Sequence, residues 1–229
     1  MRDYVIAAPN ETSLAVIGET ACFPVRRIYC VGRNFAAHAR EMGANPDRDP
    51  PFFFSKPRDA VTFNGKSVPY PPMTKDLHHE IELVVALKGE GKNINTDDAL
   101  KLVYGYAVGL DLTRRDLQGA AKAAGKPWDM GKGFDFSAPT GPIHKASDIG
   151  HPKAGKISLD VNGKLCQAGD LSDMIWSVAE TIAYLSTLVT LRPGDLIFTG
   201  TPEGVGPIGP GDVLVGKIAG FADLIIKID

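Results

Sequence analysis

Hydrophobic and polar residues alternate over short stretches along most of this chain, a pattern typical of β-strands. Runs of β-branched and aromatic residues between turn-forming residues predict strands at 27–31, 52–55, 80–87, 104–110 and in the tail from residue 195. Asn-Gly pairs favour tight turns, and they predict a hairpin over 157–165 and a hairpin-like region over 61–72. The residues before 27 alternate more loosely and predict one or two edge strands.

Helical periodicity is confined to four segments, at 35–42, 96–102, 111–124 and 172–188. The first of them stops at Gly43, a typical C-cap residue, and the proline-rich segment 44–51 predicts a loop. Strands and helices do not alternate in a regular βαβ order, so a parallel α/β fold is not expected. We predict an α+β, β-rich fold with a mixed, mostly antiparallel sheet and peripheral helices.

The composition excludes several classes of protein. Of the 229 residues, 44% are hydrophobic and 23% are charged, which is typical of a globular chain with one large domain or two small ones. The formal net charge of −2 provides neither the basic surface that binds nucleic acid nor a polybasic membrane anchor. We therefore expect no nucleic-acid partner and no membrane attachment.

The cysteines and the first residues indicate a compartment. Cys22, Cys30 and Cys166 are odd in number and widely spaced, unlike a disulfide framework or a structural zinc site. The first twenty residues lack the basic start and apolar core of a secretion signal, and no run of about 20 apolar residues occurs. We expect a soluble protein of the reducing cytoplasm.

Two glutamates in the segment LHHEIEL form the sharpest local feature of the sequence. Because strand side chains alternate between faces, Glu80 and Glu82 are expected on one face, with Ile81 on the other. Two carboxylates about 7 Å apart repel each other and are costly to bury unless a cation lies between them. Oxygen ligands favour Mg²⁺, Mn²⁺ or Ca²⁺ over zinc. On the pattern alone, an edge strand with a solvated glutamate face is an equally good interpretation.

Asp111 adds weight to the metal interpretation. It ends the small apolar strand YGYAVGL, a position at which catalytic groups are often found. It also precedes a predicted helix, so it could instead be the N-cap of that helix. Together with Glu80 and Glu82 it would supply three carboxylates, enough to hold an octahedral cation with open positions for water and substrate.

Two further features could carry chemistry. His38 and Glu41 are three apart on the predicted helix 35–42, so they share a face and could form an oriented general base. A solvent-facing pair on a surface helix is the alternative. Lys132 lies between two glycines, which would let the backbone approach a ligand closely, although a flexible exposed lysine is the commoner outcome.

Six motifs together make the chain resemble the fumarylacetoacetate hydrolase family: YCVGRNFAAHAREMG, PFFFSKP, LHHEIEL, GYAVGLDLTRRDLQ, KPWDMGKGFD and LIFTGTPEGVG. They occur in the family's order from about Arg27 to the C-terminus. The most similar branch is that of the short, single-domain acylpyruvate hydrolases, including fumarylpyruvate hydrolase. The resemblance implies a mixed β-roll with flanking helices, a single catalytic domain over 27–229 after an unassigned extension over 1–26, and a homodimer.

The resemblance also implies roles for individual residues. The family's metal ligands fall on Glu80, Glu82 and Asp111, and its His-x-x-Glu dyad falls on His38 and Glu41. Its substrate-contacting residues fall on Arg33, Gln118, Lys132 and Thr201, with Lys132 also catalytic. The implied cofactor is Mg²⁺ or Mn²⁺.

The implied reaction is the metal-dependent cleavage of a C–C bond in a 2,4-dioxo acid, which gives pyruvate and a carboxylic acid. Fumarylpyruvate is the favoured small-molecule substrate, with a role in aromatic catabolism. Oxaloacetate decarboxylases and dienoate isomerases of the same family share much of the motif set and are the alternative enzymes. The non-enzymatic alternative is a divalent-metal-binding β-module, and the His38–Glu41 dyad argues against it because a binding site needs no general base.

Overall fold

The computed structural model describes residues 4–41 and 49–229, which form short strands joined by turns and a few helices. In chain order the strands are β1 Ser13–Leu14, β2 Phe23–Pro24, β3 Arg27–Gly32, β4 Phe52–Lys56, β5 Val61–Phe63, β6 Ser67–Val68, β7 Leu77–His79, β8 Ile81–Leu87, β9 Val103–Leu110, β10 Thr113–Arg114, β11 Ala138–Thr140, β12 His144–Lys145, β13 Lys156–Val161, β14 Lys164–Asp170, β15 Asp195–Phe198, β16 Gly206–Ile208, β17 Val213–Ile218 and β18 Leu224–Ile228. The helices are α1 Ala36–Glu41, α2 Thr96–Ala99, α3 Arg115–Ala123, α4 Asp129–Lys132, α5 Ala146–Ile149 and α6 Val178–Leu188.

Two large sheets carry the fold. One has the strand order β4-β3-β15-β8-β9-β11-β5, with β12 also paired to β9, and the other has the order β14-β13-β17-β18-β6. A small third sheet, β10-β7-β16, continues from the start of β8. Most neighbouring strands are antiparallel, and the parallel pairs are β3–β15, β5–β11 and β6–β18. The predicted α+β, β-rich and mostly antiparallel fold is confirmed.

Strand β8 shows where the core lies. All seven of its residues are buried, because the large sheet is covered on both faces. On one face, Leu83 and Val85 pack in a cluster that includes Leu159 of the second large sheet. On the other face, Val84 packs in a second cluster, which includes Leu14 from the start of the chain. A strand that is buried on both faces produces the nearly continuous apolar run seen in the sequence.

The predicted strands at 27–31, 52–55 and 104–110 are confirmed by β3, β4 and β9. The hairpin β13–β14 is also confirmed, since Asn162 and Gly163 have φ angles of 53° and 77°, as a tight hairpin turn requires. The helix predicted at 35–42 is confirmed by α1 as far as Glu41. Gly43 and most of the loop predicted over 44–51 lie outside the described residues.

Two helix predictions were wrong at their N-terminal ends. Helix α3 begins at Arg115 because residues 113–114 pair with β7 as strand β10, so Asp111 is not its N-cap. Helix α6 begins at Val178 because Ser177 and Glu180 form a capping box there. The preceding residues contain a short 3₁₀ turn, Leu171–Asp173.

The hairpin-like pairing predicted around Asn64 and Gly65 was also wrong. The turn forms, but β5 pairs with β11 and β6 pairs with β18. Distant partners determine this pairing, because Asn64 accepts a hydrogen bond from the Ile225 N–H at 2.7 Å and donates one to the Asp223 carbonyl at 3.1 Å.

The predicted edge strands before residue 27 form as β1 and β2, which pair with each other. Within residues 4–41 and 49–229, no helix combines the length and the hydrophobicity needed to cross a lipid bilayer.

Candidate metal and catalytic site

Strands β8 and β9 bring three carboxylates together. Glu82 lies opposite Gly109 in this antiparallel pair, and the Asp111 N–H donates to the Glu80 carbonyl at 2.8 Å. One ligand oxygen from each of Glu80, Glu82 and Asp111 lies within 4.8 Å of the other two. The three residues are only 5%, 1% and 0% exposed, so the solvated alternative for the glutamates is wrong.

Glu80 occupies a junction between two sheets rather than the interior of a strand. The predicted strand 80–87 begins one residue later, at Ile81, and His79 ends β7, which belongs to the small third sheet. The chain therefore changes sheets at Glu80. This change places its carboxylate beside the end of β9, where Asp111 follows the last strand residue.

Three cations surround the carboxylates. Lys132 Nζ donates to Glu80 Oε2 at 2.9 Å and to Asp111 Oδ2 at 2.7 Å. The Arg115 guanidinium pairs with Glu80. Lys56 Nζ lies 2.8 Å from Asp111 Oδ1, in a charge contact that lacks hydrogen-bond geometry. The Lys132 side chain is only 3% exposed, so the expectation of a flexible, exposed lysine is wrong.

Burial and neighbouring charges shift the pKa values in this cluster in different directions. Burial raises the pKa of Glu80, but the charges of Lys132 and Arg115 outweigh it and hold that pKa well below its usual range. Burial, together with repulsion from Asp111 and Glu80, raises the pKa of Glu82 well above its usual range. Burial lowers the pKa of Lys132, but the two carboxylates outweigh it and the net shift is upward. Lys132 therefore stays charged although it is buried.

The donor set fits a hard divalent cation. Three buried carboxylates offer only oxygen ligands, which suit Mg²⁺ or Mn²⁺ rather than zinc. Asp111 Oδ1 accepts no hydrogen bond among the described residues, and its partner there is the charge of Lys56 at 2.8 Å. The Gly200 N–H donates to Glu82 Oε2 at 2.7 Å and fixes that carboxylate from behind, as a supporting hydrogen bond does at many metal sites.

Helix α1 contributes a histidine to the same region. His38 is only 6% exposed, so the solvent-facing alternative is wrong for this residue. His38 Nδ1 lies 2.9 Å from Glu41 Oε2, and Glu41 Oε1 accepts a hydrogen bond from the Gly204 N–H at 3.1 Å. An ionised carboxylate only accepts hydrogen bonds, so in a neutral His38 ring Nδ1 carries the proton and Nε2 is the acceptor.

One open pocket joins the carboxylate cluster and the His38–Glu41 dyad. The residues proposed from the sequence that line it are Arg33, His38, Glu80, Glu82, Gln118, Lys132 and Thr201. Asp111 lies beneath the pocket, in contact with Lys132, and Glu41 lies behind His38. The structure thus brings together side chains that are dispersed over most of the sequence.

Several residues of the pocket were missed in the sequence. Arg115 donates a hydrogen bond to Gln118 Oε1 at 3.0 Å. The two residues are three apart in the chain, which puts them on one helix face, and this spacing could have revealed Arg115 in the sequence. Phe52 and Trp128 form part of the wall, with ring centroids 5.4 Å apart in an edge-to-face arrangement. No local pattern reveals that contact, because the two rings are far apart in the chain.

Fold and site together define a β-rich protein with a buried acidic site for a divalent cation. Residues 27–229 match the family model described as fumarylacetoacetate (FAA) hydrolase C-terminal. The chain therefore belongs to the fumarylacetoacetate hydrolase family, and the predicted membership and the β-roll fold are confirmed.

Named relatives of this chain carry out more than one reaction. A fumarylpyruvate hydrolase of Pseudomonas aeruginosa, solved in complex with Mn²⁺ and pyruvate, is 51% identical over 99% of each chain, with a TM-score of 0.97. A fumarylpyruvate hydrolase of a Ralstonia species is 42% identical over 77% of this chain and 92% of its own. An oxaloacetate tautomerase of Escherichia coli is 41% identical over 84% of this chain and 88% of its own.

Proposed function

We propose that this protein is a metal-dependent hydrolase that cleaves an acylpyruvate, a 2,4-dioxo acid, into pyruvate and a carboxylic acid. One observation carries the proposal: the buried carboxylates and the His38–Glu41 dyad meet at one pocket. Three carboxylates alone would suffice for a metal-binding module, whereas the dyad adds a base for water. The relatives named fumarylpyruvate hydrolase support fumarylpyruvate as the favoured substrate.

Glu80, Glu82 and Asp111 would hold the cation, Mg²⁺ or Mn²⁺. When bound, such a cation would act as a Lewis acid toward the 2-oxo acid end of the substrate. The Mn²⁺ in the Pseudomonas aeruginosa relative supports this assignment without choosing between the two metals.

His38 would activate the attacking water. Its Nε2 takes a proton from the water, while Glu41 holds the ring through Nδ1–H and stabilises the charged imidazolium. The water oxygen adds to the carbonyl carbon of the acyl group. The C=O bond of the acyl group re-forms as the adjacent C–C bond breaks, and the electron pair of that bond passes to the pyruvate half as an enolate. The proton taken from the water then passes from His38 to the enolate carbon, which gives pyruvate.

Lys132 and Gln118 would stabilise the enolate oxygen. Lys132 uses two of its three N–H groups on Glu80 and Asp111, which leaves one for the substrate. Gln118 accepts from Arg115 through Oε1, and its NH₂ group has no acceptor within residues 4–41 and 49–229, so it can donate to the substrate. Donors that are already fixed in a buried site stabilise developing charge with little reorganisation.

The charges of the pocket support a substrate with a second carboxylate. Arg33 and Lys122 line the pocket, and neither has an ion-pair partner among the described residues. The Arg33 guanidinium instead lies 5.5 Å from the centre of the Phe52 ring. These cations would pair with the carboxylate at the acyl end of fumarylpyruvate, and a neutral acyl chain would leave them without a partner.

A substrate panel tests the proposal. Fumarylpyruvate, acylpyruvates with neutral acyl chains and oxaloacetate are compared by kcat/KM, with and without EDTA. We expect the highest value for fumarylpyruvate and loss of activity in EDTA. A higher kcat/KM for oxaloacetate than for every 2,4-dioxo acid would contradict the proposal.

Oxaloacetate tautomerisation is the second candidate, and the Escherichia coli relative supports it. That reaction needs no attacking water, but it does need a base to carry a proton between carbon and oxygen, and Lys132 stays charged and cannot be that base. Tautomerisation stands beside the two alternatives that the motifs suggested, an oxaloacetate decarboxylase and a dienoate isomerase. We also propose that residues 27–229 form a single catalytic domain. The homodimer and the cytoplasmic location stay predictions.

A further inference from the structure

Gln167 is a fully buried residue outside the motifs that define the site, and it makes four hydrogen bonds. Its Oε1 accepts from His79 Nδ1 at 2.9 Å and from the Ile81 N–H at 3.0 Å. Its NH₂ group donates to Thr201 Oγ1 at 2.9 Å and to the Pro202 carbonyl at 2.9 Å. These bonds use the two donors of the amide and both acceptor positions of its oxygen, so its orientation is fixed.

The two sides of the amide hold different parts of the site. His79 and Ile81 directly precede and follow Glu80, so Gln167 fixes the junction at which this carboxylate leaves the strand. On the other side, Thr201 Oγ1 accepts from Gln167, which leaves the hydroxyl proton of Thr201 for a ligand in the pocket that it lines.

A β-bulge puts the amide in this place. Leu159 pairs with Gln167 but the next pair is Asp160 with Leu165, so Cys166 is an extra residue in β14. On a regular strand Leu165 and Gln167 would share a face, yet Leu165 is 51% exposed and Gln167 is fully buried. Bulges of this kind often redirect a side chain next to a functional site.

The 200–204 loop is held against this bulge. A Cβ atom at Gly204 would lie 2.2 Å from the Cys166 carbonyl oxygen, so the two backbones are in close contact. The same loop donates N–H groups to Glu82 Oε2 at 2.7 Å and to Glu41 Oε1 at 3.1 Å. The position of the loop therefore determines where three side chains of the site lie: the candidate metal ligand Glu82, Glu41 of the dyad, and Thr201.

We propose that Gln167 is a positioning residue that aligns the 200–204 loop with the β7–β8 junction, so that Glu80 and Thr201 face the same bound substrate. The inference rests on the proposed function in taking Glu80 as a metal ligand and Thr201 as a substrate contact. If Gln167 only stabilised the fold, its substitution would lower the melting temperature without changing the Mn²⁺ affinity. Its effect on kcat/KM would then be independent of a substitution at Thr201.

The first test measures Mn²⁺ affinity by calorimetry on the purified protein. We expect Gln167→Leu to weaken Mn²⁺ binding roughly 10-fold, the lower end of the effect usual for residues that orient metal ligands. Gln167→Glu keeps the acceptor oxygen, so its affinity should lie between that of Gln167→Leu and that of the wild type. Gln167→Glu also provides the test if Gln167→Leu does not fold. The matched control is Ser186→Ala, which removes a buried hydroxyl that accepts from the Ile94 N–H at 2.8 Å, outside the pocket.

The second test is a double-mutant cycle with Thr201→Val on kcat/KM. If Gln167 acts partly through Thr201, each single variant should lose about 10-fold and the double variant well under 100-fold. Mn²⁺ affinity in Gln167→Leu equal to that of Ser186→Ala, or fully multiplicative losses in the cycle, would overturn the inference and leave the proposed function intact. A wild-type protein that binds no Mn²⁺ would overturn both.

Discussion

Among the individual residues, the main feature of this protein is a cluster of buried, oppositely charged side chains. Three carboxylates and the cations of Lys56, Arg115 and Lys132 share one small region, and each ion removed from water needs its partners to offset the cost of desolvation. The spacing of Glu80 and Glu82 put both on one face of a strand, but it did not decide between a cation site and a solvated strand edge. The burial of Lys132 was not, because its partners Asp111 and Glu80 are 21 and 52 positions away in the chain.

Removal of any candidate metal ligand should abolish metal binding. We expect Glu80→Ala, Glu82→Ala and Asp111→Ala each to lose Mn²⁺ binding and activity, since two carboxylates hold the cation too weakly. Calorimetry with Mn²⁺ and pyruvate release from fumarylpyruvate measure the two effects. Asp98→Ala, which removes an exposed carboxylate paired with Lys101, serves as the control. Full activity of Glu82→Ala at low micromolar Mn²⁺ would remove this ligand assignment.

Lys132→Met should lower kcat by roughly 10²–10³-fold, the size of effect seen when an electrostatic donor to developing charge is lost. The variant should also be less stable, because Glu80 and Asp111 lose a buried partner. Activity is therefore compared for folded protein, as judged by circular dichroism, at saturating Mn²⁺. Lys145→Met, which removes an ammonium from a surface ion pair with Glu19, is the matched control. A kcat within twofold of wild type would rule out a catalytic role for Lys132.

At the scale of secondary structure, elements with a strong local signal were predictable. Strand β8 was visible as an apolar run, and the β13–β14 hairpin was visible from its Asn-Gly turn. Elements that depend on pairing with distant segments of the chain were not predictable. The helix predicted from Asp111 loses its first turn to β10, which exists only because β7 lies beside it.

Helix α1 separates acylpyruvate hydrolysis from oxaloacetate decarboxylation. We expect His38→Ala and Glu41→Gln to reduce hydrolysis of fumarylpyruvate by roughly 10²-fold or more, the usual effect of losing a general base. Decarboxylation of oxaloacetate should survive, because it needs stabilisation of the enolate and no activated water. Both activities are measured on one preparation of each variant, with Glu90→Gln as a surface control. A parallel loss of the two activities would show that the base is assigned wrongly.

Strand β12 gives a prediction about pH and stability. Burial lowers the pKa of His144, whose Nε2 accepts a hydrogen bond from the Ala222 N–H at 3.0 Å. The unfolded chain therefore binds a proton at His144 more readily than the folded protein, and this contribution to stability is present above about pH 6.5 and lost as pH falls. The urea midpoint should drop between pH 7.5 and 5.5, and drop less in His144→Gln. Equal drops in the two proteins would contradict this role of His144.

At the scale of the whole molecule, the site is assembled from distant segments. Helix α1, the junction between β7 and β8, and the 200–204 loop each supply one side chain to the pocket, and helix α3 supplies three. The sequence identified most of these side chains one at a time, through local patterns and family resemblance. The aromatic wall and the Gln167 bridge were missed, because they depend on how the sheets pack.

The stoichiometry of pyruvate release shows whether this protein cleaves the C–C bond of an acylpyruvate. Fumarylpyruvate consumed and pyruvate formed are measured together for wild-type protein, first after EDTA treatment and then after Mn²⁺ is restored. We predict one pyruvate for each fumarylpyruvate with Mn²⁺ and almost none after EDTA. Fumarylpyruvate left intact by Mn²⁺-loaded protein that still interconverts the keto and enol forms of oxaloacetate would contradict the account.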